Sequence, residues 1–496
     1  MTPNVSPANA AGAVSPVTEG AAGAGTGESA VPTRTEQTRT EQTRAQQTRT
    51  EHMLTAPPLG LLLRMASPNA LAFFVQAGVS MIEAWYIGRL GTTPLAAIAL
   101  MFPGLMLMQM LSGGAMGGAV TSAIARALGA GLHERAQRLM WHAVAIGLVS
   151  GLTFALLWWL FGAGLLVRLG AEGAVLSQAL AYGNVLFTGC VLIWLMSILS
   201  AAFRGMGDMQ YPAKLMVVSA AIQVPLSGAL IQGWFGLPQL GIVGAAISVL
   251  TVAGVNTALQ LARLASNKVN VRLQRSMGRL QWPLFRDILR VGALAALSPI
   301  FTVLTIGLIN GLISSRGAAA IAGYGIGARM EFLLIPLVFG LGASMTALVG
   351  VNIGAGNAAR AERIGWIGGG CAAALTGFVG VLLACIPGLW MDLFTDDPET
   401  IAAGAAYLQI AGPVYLFQGL GLSLYFASQG ASAVLWPVVG TIARFVVSVG
   451  GAYLGLRLFG FGLPGVYACI AAGMVCYGSI TAAALYAGTW RPPLRG

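Results

Sequence analysis

The sequence predicts an all-α integral membrane protein, with twelve transmembrane helices arranged as two pseudo-symmetric six-helix bundles. Three observations lead to this fold class. Of the 496 residues, 56% are hydrophobic and only 9% are charged, and the mean hydropathy is +0.77, which no ordinary soluble domain reaches. Twelve apolar stretches follow one another along the chain, and a long segment of the first half recurs in the second half.

Each apolar stretch has the ~20 residues or more that a helix needs to cross ~30 Å of hydrocarbon. The predicted spans are residues 66–88, 93–124, 139–162, 174–202, 212–233, 239–264, 286–313, 318–349, 361–390, 400–428, 434–458 and 464–489.

The internal repeat is long and keeps its register. Residues 121–143, TSAIARALGAGLHERAQRLMWHA, return 225 positions later as residues 346–368, TALVGVNIGAGNAARAERIGWIG, and the same offset pairs Pro212 with Pro437. A membrane protein built from two such halves, with a cleft between them, has the architecture of an alternating-access transporter.

The regions outside the spans complete the domain prediction. The N-terminal region is rich in Ala, Gly, Thr and Ser and repeats TRTEQ-like units, a composition that cannot bury enough apolar surface to fold. We therefore predict a disordered cytoplasmic tail (1–58), an N-terminal bundle (59–265), a basic cytoplasmic linker (266–285), a C-terminal bundle (286–490) and a short cytoplasmic tail (491–496).

The net charge of +11 follows the positive-inside rule rather than indicating a nucleic-acid partner. Outside the N-terminal tail, one side of the predicted topology carries 16 Lys and Arg residues and the other carries four. Both termini are therefore predicted to be cytoplasmic. Arg outnumbers Lys 25 to 2, which is typical of GC-rich bacterial genomes and favours a bacterial inner membrane. We expect a monomer in the lipid bilayer.

Catalytic and cofactor-binding motifs are not found in the sequence. The five cysteines lie in apolar stretches without CxxC spacing, and there is no P-loop, dinucleotide fingerprint or nucleophile elbow. We predict no enzyme activity, no cofactor and no metal site, so a proton or a sodium ion is the expected coupling species.

Only two of the 16 acids, Glu83 and Glu331, lie well within predicted spans. A charged carboxylate there costs about 2.5–3.5 kcal/mol on insertion scales, so such residues usually face a cavity and have a function. Glu83 has no basic residue one helical turn away, and a low dielectric disfavours its ionised form, so it could take up and release a proton. The alternative is a permanently neutral carboxyl that donates a structural hydrogen bond.

Glu331 has two possible roles. Arg329, two residues away, points to nearly the opposite side of a helix, whereas Arg444 lies in another span. Glu331 either forms a buried ion pair with Arg444 or faces the substrate cavity.

Three stretches together carry a family resemblance: YIGRLGTTPLAAIAL (86–100), FRGMGDMQYPAK (203–214) and ALVGVNIGAGNAARA (347–361). On these the chain resembles the multidrug and toxic compound extrusion (MATE) transporters across essentially all twelve helices. The resemblance implies two six-helix bundles in a V, and the exchange of protons or sodium ions for organic, often cationic and amphipathic, compounds.

The resemblance also implies a coupling site. The family has a Pro on its first helix followed fifteen residues later by a cation-binding acid, and Pro68 and Glu83 occupy these positions, with Glu where Asp is usual. Gln223 and Ser227 match polar partners on the fifth helix. Acids that some sodium-coupled relatives carry on the seventh and tenth helices are missing, and Gln418 stands at the tenth-helix position.

We therefore predict a proton-coupled multidrug exporter of the DinF-like branch, in which Pro68 allows the first helix to bend. The alternatives are a sodium-coupled MATE exporter and a flippase for lipids or lipid-linked oligosaccharides. The substrate cavity is predicted to contain flexible, aromatic and charged side chains, with the candidates Phe74, Met106, Met110, Tyr324, Arg329, Glu331, Phe417 and Gln418.

Overall fold

The structure of this protein is a computed structural model that describes residues 49–266, 269, 271–274 and 278–491. Across these residues the chain forms helices, turns and loops, without a β-strand. Eleven helices are long and apolar enough to cross a bilayer, and a bent helix pair provides a twelfth span. The predicted all-α membrane fold is thus confirmed.

The spans are numbered α1–α12 in chain order. Their bounds are α1 Pro58–Gly88, α2 Thr92–Gly129, α3 His133–Arg168, α4 Gly173–Thr188 with Cys190–Gly205, α5 Gln210–Gln232, α6 Ile242–Ala265, α7 Trp282–Ser314, α8 Ala318–Gly354, α9 Ala358–Cys385, α10 Pro398–Gly430, α11 Leu435–Leu458 and α12 Leu463–Tyr486. The two parts of α4 are bent by 49°, where the sequence predicted one uninterrupted span. The bend lies at Gly189, where a Cβ would collide with Leu250 of α6.

Several helices depart from regular α-helical geometry within the membrane. α1 contains Pro68 and α5 contains Pro225, and a proline inside a helix removes one backbone hydrogen bond. Residues Met110–Met116 of α2 and Val446–Gly450 of α11 form π-helical turns, which are frequent at functional sites.

The sequence repeat is also a structural repeat. The hydroxyl of Thr121 on α2 donates to the backbone carbonyl of Ala201 on α4 at 2.8 Å. The hydroxyl of Thr346 on α8 donates to the backbone carbonyl of Phe426 on α10, also at 2.8 Å. Both members of the second pair lie 225 positions after their counterparts, so the two halves share individual hydrogen bonds.

The two halves meet at one end, where α2 crosses α8. Gly129 packs against the backbone of Val351, and Gly354 packs against the backbone of Arg126, so a Cβ on either glycine would collide with the opposite helix. These two contacts are again related by the 225-residue offset. Close approach of the backbones at small residues is the usual way in which membrane helices pack.

Polar contacts join the halves at the same end. Ser122 on α2 donates to the backbone carbonyl of Gln429 on α10 at 2.5 Å. Asp287 at the start of α7 accepts hydrogen bonds from Arg126 at 2.8 Å and from Arg135 at 2.9 Å. In the predicted topology this is the cytoplasmic end.

At the opposite end each half has its own hydrophobic core. One cluster, which includes Tyr86 and Trp158, draws its residues from α1–α6 and the loops between them. The other, which includes Tyr407 and Tyr467, draws its residues from α7–α12 and the adjoining loops. The halves are therefore joined at one end and packed separately at the other, which gives the V shape.

The N-terminal tail differs from the prediction where the structure describes it. Residues 49–55 are helical, Met53 is only 2% exposed, and Asn352 of α8 donates to its carbonyl oxygen at 3.4 Å. Disorder was therefore the wrong prediction for residues 49–58. Apolar side chains of this short segment, such as Met53, are buried against the rest of the protein.

The rest of the predicted tail, residues 1–48, lies outside the described residues, as do parts of the predicted linker 266–285 and residues 492–496. α7 begins at Trp282, within the predicted linker.

Candidate functional site

The carboxyl of Glu83 lies inside α1 and faces α5. Gln223 on α5 donates a hydrogen bond from Nε2 to Glu83 Oε1 at 2.9 Å, and its side chain is buried. Glu83 itself is half-buried. The structure thus brings these two predicted coupling residues into direct contact.

Two hydroxyl groups are also close to Glu83. Ser227, one helical turn after Gln223 on α5, and Ser248 on α6 both interact with the carboxyl. The Ser227 oxygen is buried and makes no direct hydrogen bond to a described residue, whereas Ser248 donates to the backbone carbonyl of Ala245 at 2.8 Å. The sequence analysis identified Ser227 but missed Ser248.

A tyrosine completes the surroundings of Glu83. Tyr182 on α4 is 5% exposed and lies near enough to interact with the charge of Glu83. The sequence analysis missed it, although the repeat offers a signal: Tyr407, 225 positions later, contacts the second intramembrane acid.

No basic side chain neutralises Glu83 in the described part of the chain, where none of the ion pairs includes it. Its carboxyl is therefore surrounded by an amide and hydroxyls. Neutral dipoles of this kind stabilise a carboxylate less than a neighbouring cation does.

Pro68 lies inside α1 and near the contact with the other half. Two residues later, the backbone of Ala70 packs against Gly340 of α8, and the ring centroid of Phe73 lies 6.1 Å from that of Phe339. A change in the bend of α1 would therefore alter a contact between the halves.

The second intramembrane acid, Glu331 on α8, belongs to a network in the C-terminal half. The hydroxyl of Tyr407 donates to Glu331 Oε1. Arg444 on α11 places Nη2 at 3.8 Å from Glu331 Oε2, and its Nη1 donates to Gln418 Oε1 at 2.9 Å. Glu331 thus pairs with Arg444, and it also lines one of the cavities described below.

A cavity lies between the halves. Its lining includes Met110 and Gly114 of α2, and from the second half Ser298, Thr302, Phe339, Gln418, Tyr425, Thr441, Arg444 and Tyr477. A smaller neighbouring cavity is lined by Glu331, Thr376, Tyr415 and Gln418, among others. Met110, Glu331 and Gln418 are thus the predicted cavity residues that line one of these two cavities.

Two predicted cavity residues lie elsewhere. Arg329 is exposed, and its guanidinium carbon lies 5.7 Å from the ring centroid of Phe394, because it points away from Glu331 on the same helix. Tyr324 is 7% exposed and packs edge-on against Tyr407, with ring centroids 5.1 Å apart. Neither residue lines the two cavities, and the place of both in a substrate cavity stays a prediction.

Three further candidates, Phe74, Met106 and Phe417, line neither of the two cavities. Phe74 is 55% exposed, while Met106 and Phe417 are half-buried. The backbone of Phe417 packs against Gly478 of α12, so it serves helix packing.

A bound metal ion would need a cluster of ligand side chains. Within the described residues, no group of three or more His, Cys, Asp or Glu side chains could hold a metal ion. The predicted coupling site around Glu83 offers a single carboxylate and a few neutral groups.

Two pseudo-symmetric bundles that close at one end, with an intramembrane acid in each half and a cavity between them, define a membrane transporter. The sequence model of the MatE family matches residues 68–228 and 295–454, which together exceed half of the chain. The protein belongs to this family, the MATE transporters, so the resemblance is confirmed. It is a multi-pass membrane transporter and not an enzyme, whereas the DinF-like branch stays a prediction.

Similar proteins support this assignment. The chain is 25% identical over 434 residues to the probable multidrug resistance protein NorM of Thermotoga maritima, covering 86% of this chain and 92% of the relative. It is 26% identical over 383 residues to the FAD transporter of Shewanella oneidensis, covering 76% and 83%.

Among solved structures, the fold is similar to the outward-facing conformation of a multidrug resistance MATE family transporter of the MOP superfamily. The TM-score is 0.80 at 23% identity, covering 88% of this chain and 98% of that one.

Proposed function

We propose that this protein exports organic compounds, cationic or amphipathic, across a bacterial inner membrane in exchange for protons. Several of its relatives are named as multidrug resistance proteins. The observation that carries the proton assignment is the carboxyl of Glu83, which lies within a membrane span with only neutral partners.

The neutral surroundings make Glu83 suited to carry a proton. A carboxylate taken out of water without a cation beside it is disfavoured, so both the protonated and the ionised forms are accessible as access to solvent changes. The hydrogen bond from Gln223 supports the ionised form. A single such group can therefore bind a proton on one side of the membrane and release it on the other.

The same contacts favour a proton over a sodium ion. Sodium, like other hard cations, prefers several oxygen ligands around a charge. Gln223 directs its amide nitrogen, a donor that cannot coordinate a cation, toward Glu83. One carboxylate with these neighbours can accept a proton without further ligands.

The proposed mechanism links the proton to the bend of α1. Protonation of Glu83 removes the charge that Gln223 stabilises, which allows α1 to move against α5 and to bend at Pro68. Because Ala70 packs against Gly340, the movement reaches the contact between the halves. Alternating access then requires that proton and substrate each prefer one of two conformations.

Proteoliposomes loaded with a fluorescent organic cation test the proposal. A pH gradient is imposed with and without sodium, and efflux is recorded for the wild type, Glu83→Gln and Glu172→Gln. Glu172 is an exposed loop residue and serves as the matched control. We expect proton-driven efflux without sodium for the wild type and the control, and none for Glu83→Gln.

Efflux that requires sodium would contradict proton coupling. Proton-driven efflux that survives Glu83→Gln would move the coupling site away from Glu83.

A further inference from the structure

Arg444 is the only charged side chain among the described residues that line the cavity between the halves. Its side chain is 10% exposed, so the guanidinium is held inside the protein with its charge next to the cavity. Buried charges of this kind are usually paired, and inside a membrane they usually have a function. The partners of Arg444 therefore decide what it can bind.

The guanidinium is incompletely paired. Its Nη1 donates to Gln418 Oε1 at 2.9 Å, and its Nε is buried without a hydrogen-bond partner among the described residues. Nη2 lies 3.8 Å from Glu331 Oε2, which is too long for a hydrogen bond. An arginine has five N–H donors in a planar fork, and here Nη2 makes no hydrogen bond to Glu331 and can donate to another acceptor.

Glu331 does not complete this pair because it is held from the other side. The Tyr407 hydroxyl donates to its Oε1, so the carboxylate is shared between a tyrosine and a loosely placed arginine. A more closely placed anion would make stronger, charge-assisted hydrogen bonds to Arg444 than Glu331 does.

The rest of the lining suits a ligand with both polar and apolar parts. Thr441 lies beside Ser298, with their hydroxyl oxygens 3.2 Å apart, and both line the cavity with Arg444. Met110 and Phe339 provide thioether and aromatic surface on the other side. Flexible and aromatic apolar groups with a few placed polar groups are typical of small-molecule sites.

We propose that Arg444 binds the anionic group, a phosphate or a carboxylate, of an amphipathic solute in the cavity between the halves. Glu331, with its carboxylate 3.8 Å from Nη2, acts as a weak internal competitor for the guanidinium. The proposal rests on the proposed function only in taking this cavity as the transport path. It adds anionic and zwitterionic amphiphiles to the substrates of the transporter.

Two fluorescent compounds with the same ring system test this directly: riboflavin, which is neutral, and flavin mononucleotide, which adds one phosphate. Their binding to the purified full-length protein in a neutral detergent is measured by fluorescence anisotropy. We expect the mononucleotide to bind about 10-fold or more tightly than riboflavin. Arg444→Gln should remove this preference.

Arg329→Gln is the matched control, because Arg329 is an exposed arginine of the same half and should keep the preference. Glu331→Gln removes the competitor, so it should strengthen binding of the mononucleotide, whereas a purely structural ion pair predicts no gain. If Arg444→Gln fails to fold, the double variant Arg444→Gln with Glu331→Gln carries no buried charge and replaces it in the test.

Equal affinity for the two flavins, or a phosphate preference that survives loss of Arg444, would overturn the proposal. Phosphatidylglycerol is added in a separate series. One outcome is that phosphatidylglycerol competes with the mononucleotide at much lower concentration than the mononucleotide itself, in both the wild type and Arg329→Gln. In that case the anion that Arg444 binds is a lipid head group, and the proposal of a soluble solute is overturned. Equilibrium binding uses no ion gradient, so the phosphate preference should persist in Glu83→Gln. A missing phosphate preference would therefore contradict the role of Arg444 without contradicting proton coupling at Glu83.

Discussion

Each half of the molecule holds one acid within the membrane, and the side chains that contact the two acids differ. Glu83 in the first half is bound by Gln223 at 2.9 Å and has no basic partner among the described residues. Glu331 in the second half is bound by Tyr407 and lies 3.8 Å from Arg444. In the proposed function the first carboxyl changes its charge, whereas the neighbouring arginine favours the ionised form of the second.

The two acids are not equivalent under the repeat, because the 225-residue offset relates Glu83 to Leu308 and Glu331 to Met106, but some of the residues around them are. Tyr182 near Glu83 and Tyr407 at Glu331 are equivalent under the 225-residue offset, but Arg444 is equivalent to Ser219. Ser219 accepts a hydrogen bond from Asn256 at 2.6 Å and supplies no charge. The arginine of the second half therefore gives Glu331 a cationic neighbour, whereas the partner of Glu83 is a neutral amide.

The largest expected effect comes from making the first site resemble the second. Gln223→Arg places a cation beside Glu83, which should keep the carboxyl ionised and reduce proton-driven efflux to background. Gln223→Asn, which retains the amide, should keep substantial transport. Efflux from proteoliposomes measures both, and normal transport by Gln223→Arg would contradict the assigned role of Glu83.

The reverse change removes the arginine from the second site. Arg444→Gln leaves Glu331 as a buried charge without its cation, which should lower the free energy of unfolding by about 3–5 kcal/mol. The double variant with Glu331→Gln should recover most of this loss. Thermal unfolding in detergent measures the cycle, and strictly additive losses would show that the two residues are not coupled.

The two equivalent tyrosines should differ in a smaller way. Tyr407→Phe removes a hydrogen bond to a charged carboxylate and should cost about 1.5–3 kcal/mol of stability. Tyr182→Phe removes only a longer-range interaction with Glu83 and should cost about 0.5 kcal/mol or less. The same unfolding measurement compares them, and equal losses would contradict the difference between the sites.

The smallest effect concerns the helix starts outside the membrane. Asp397 caps α10 by accepting from the backbone N–H of Thr400 at 3.0 Å, whereas its equivalent Glu172 makes no capping hydrogen bond at the start of α4. Hydrogen bonds from Thr400 lower the pKa of Asp397 below its ordinary value. Asp397→Ala should therefore lower the melting temperature slightly, and Glu172→Ala should not.

The pH dependence of this cap follows from the sign of the pKa shift. A carboxyl with a lowered pKa contributes stability above its unfolded pKa, about 3.9, and loses it as the pH falls through the folded value. The difference between wild type and Asp397→Ala should be constant from neutral pH to about pH 5 and should shrink in more acidic buffer. A difference that grows on acidification would exclude the cap as its origin.

Much of the candidate site was predictable from the sequence, and the residues that the sequence analysis missed share a physical reason. Glu83 and Gln223 were identified because an acid in an apolar span is rare and because a family motif matched their positions. Ser248 and Tyr182 were missed because serine and tyrosine are ordinary residues in membrane helices, and only the packing of α4 and α6 brings them to Glu83. Arg329 was assigned to the cavity from its span alone, without the helix rotation that turns it toward Phe394.

The sequence by itself determined the class of fold, the number of spans and the two-fold repeat, because these depend on composition and on spacing along the chain. It also limited the intramembrane acids to two. Tertiary structure decided which end of the V is closed, through the contacts of Gly129 and Gly354, and which acid has a cation beside it. Both depend on the rotation and crossing of helices that are far apart in sequence, and an apolar helix pattern leaves that rotation open until the neighbouring helices have packed.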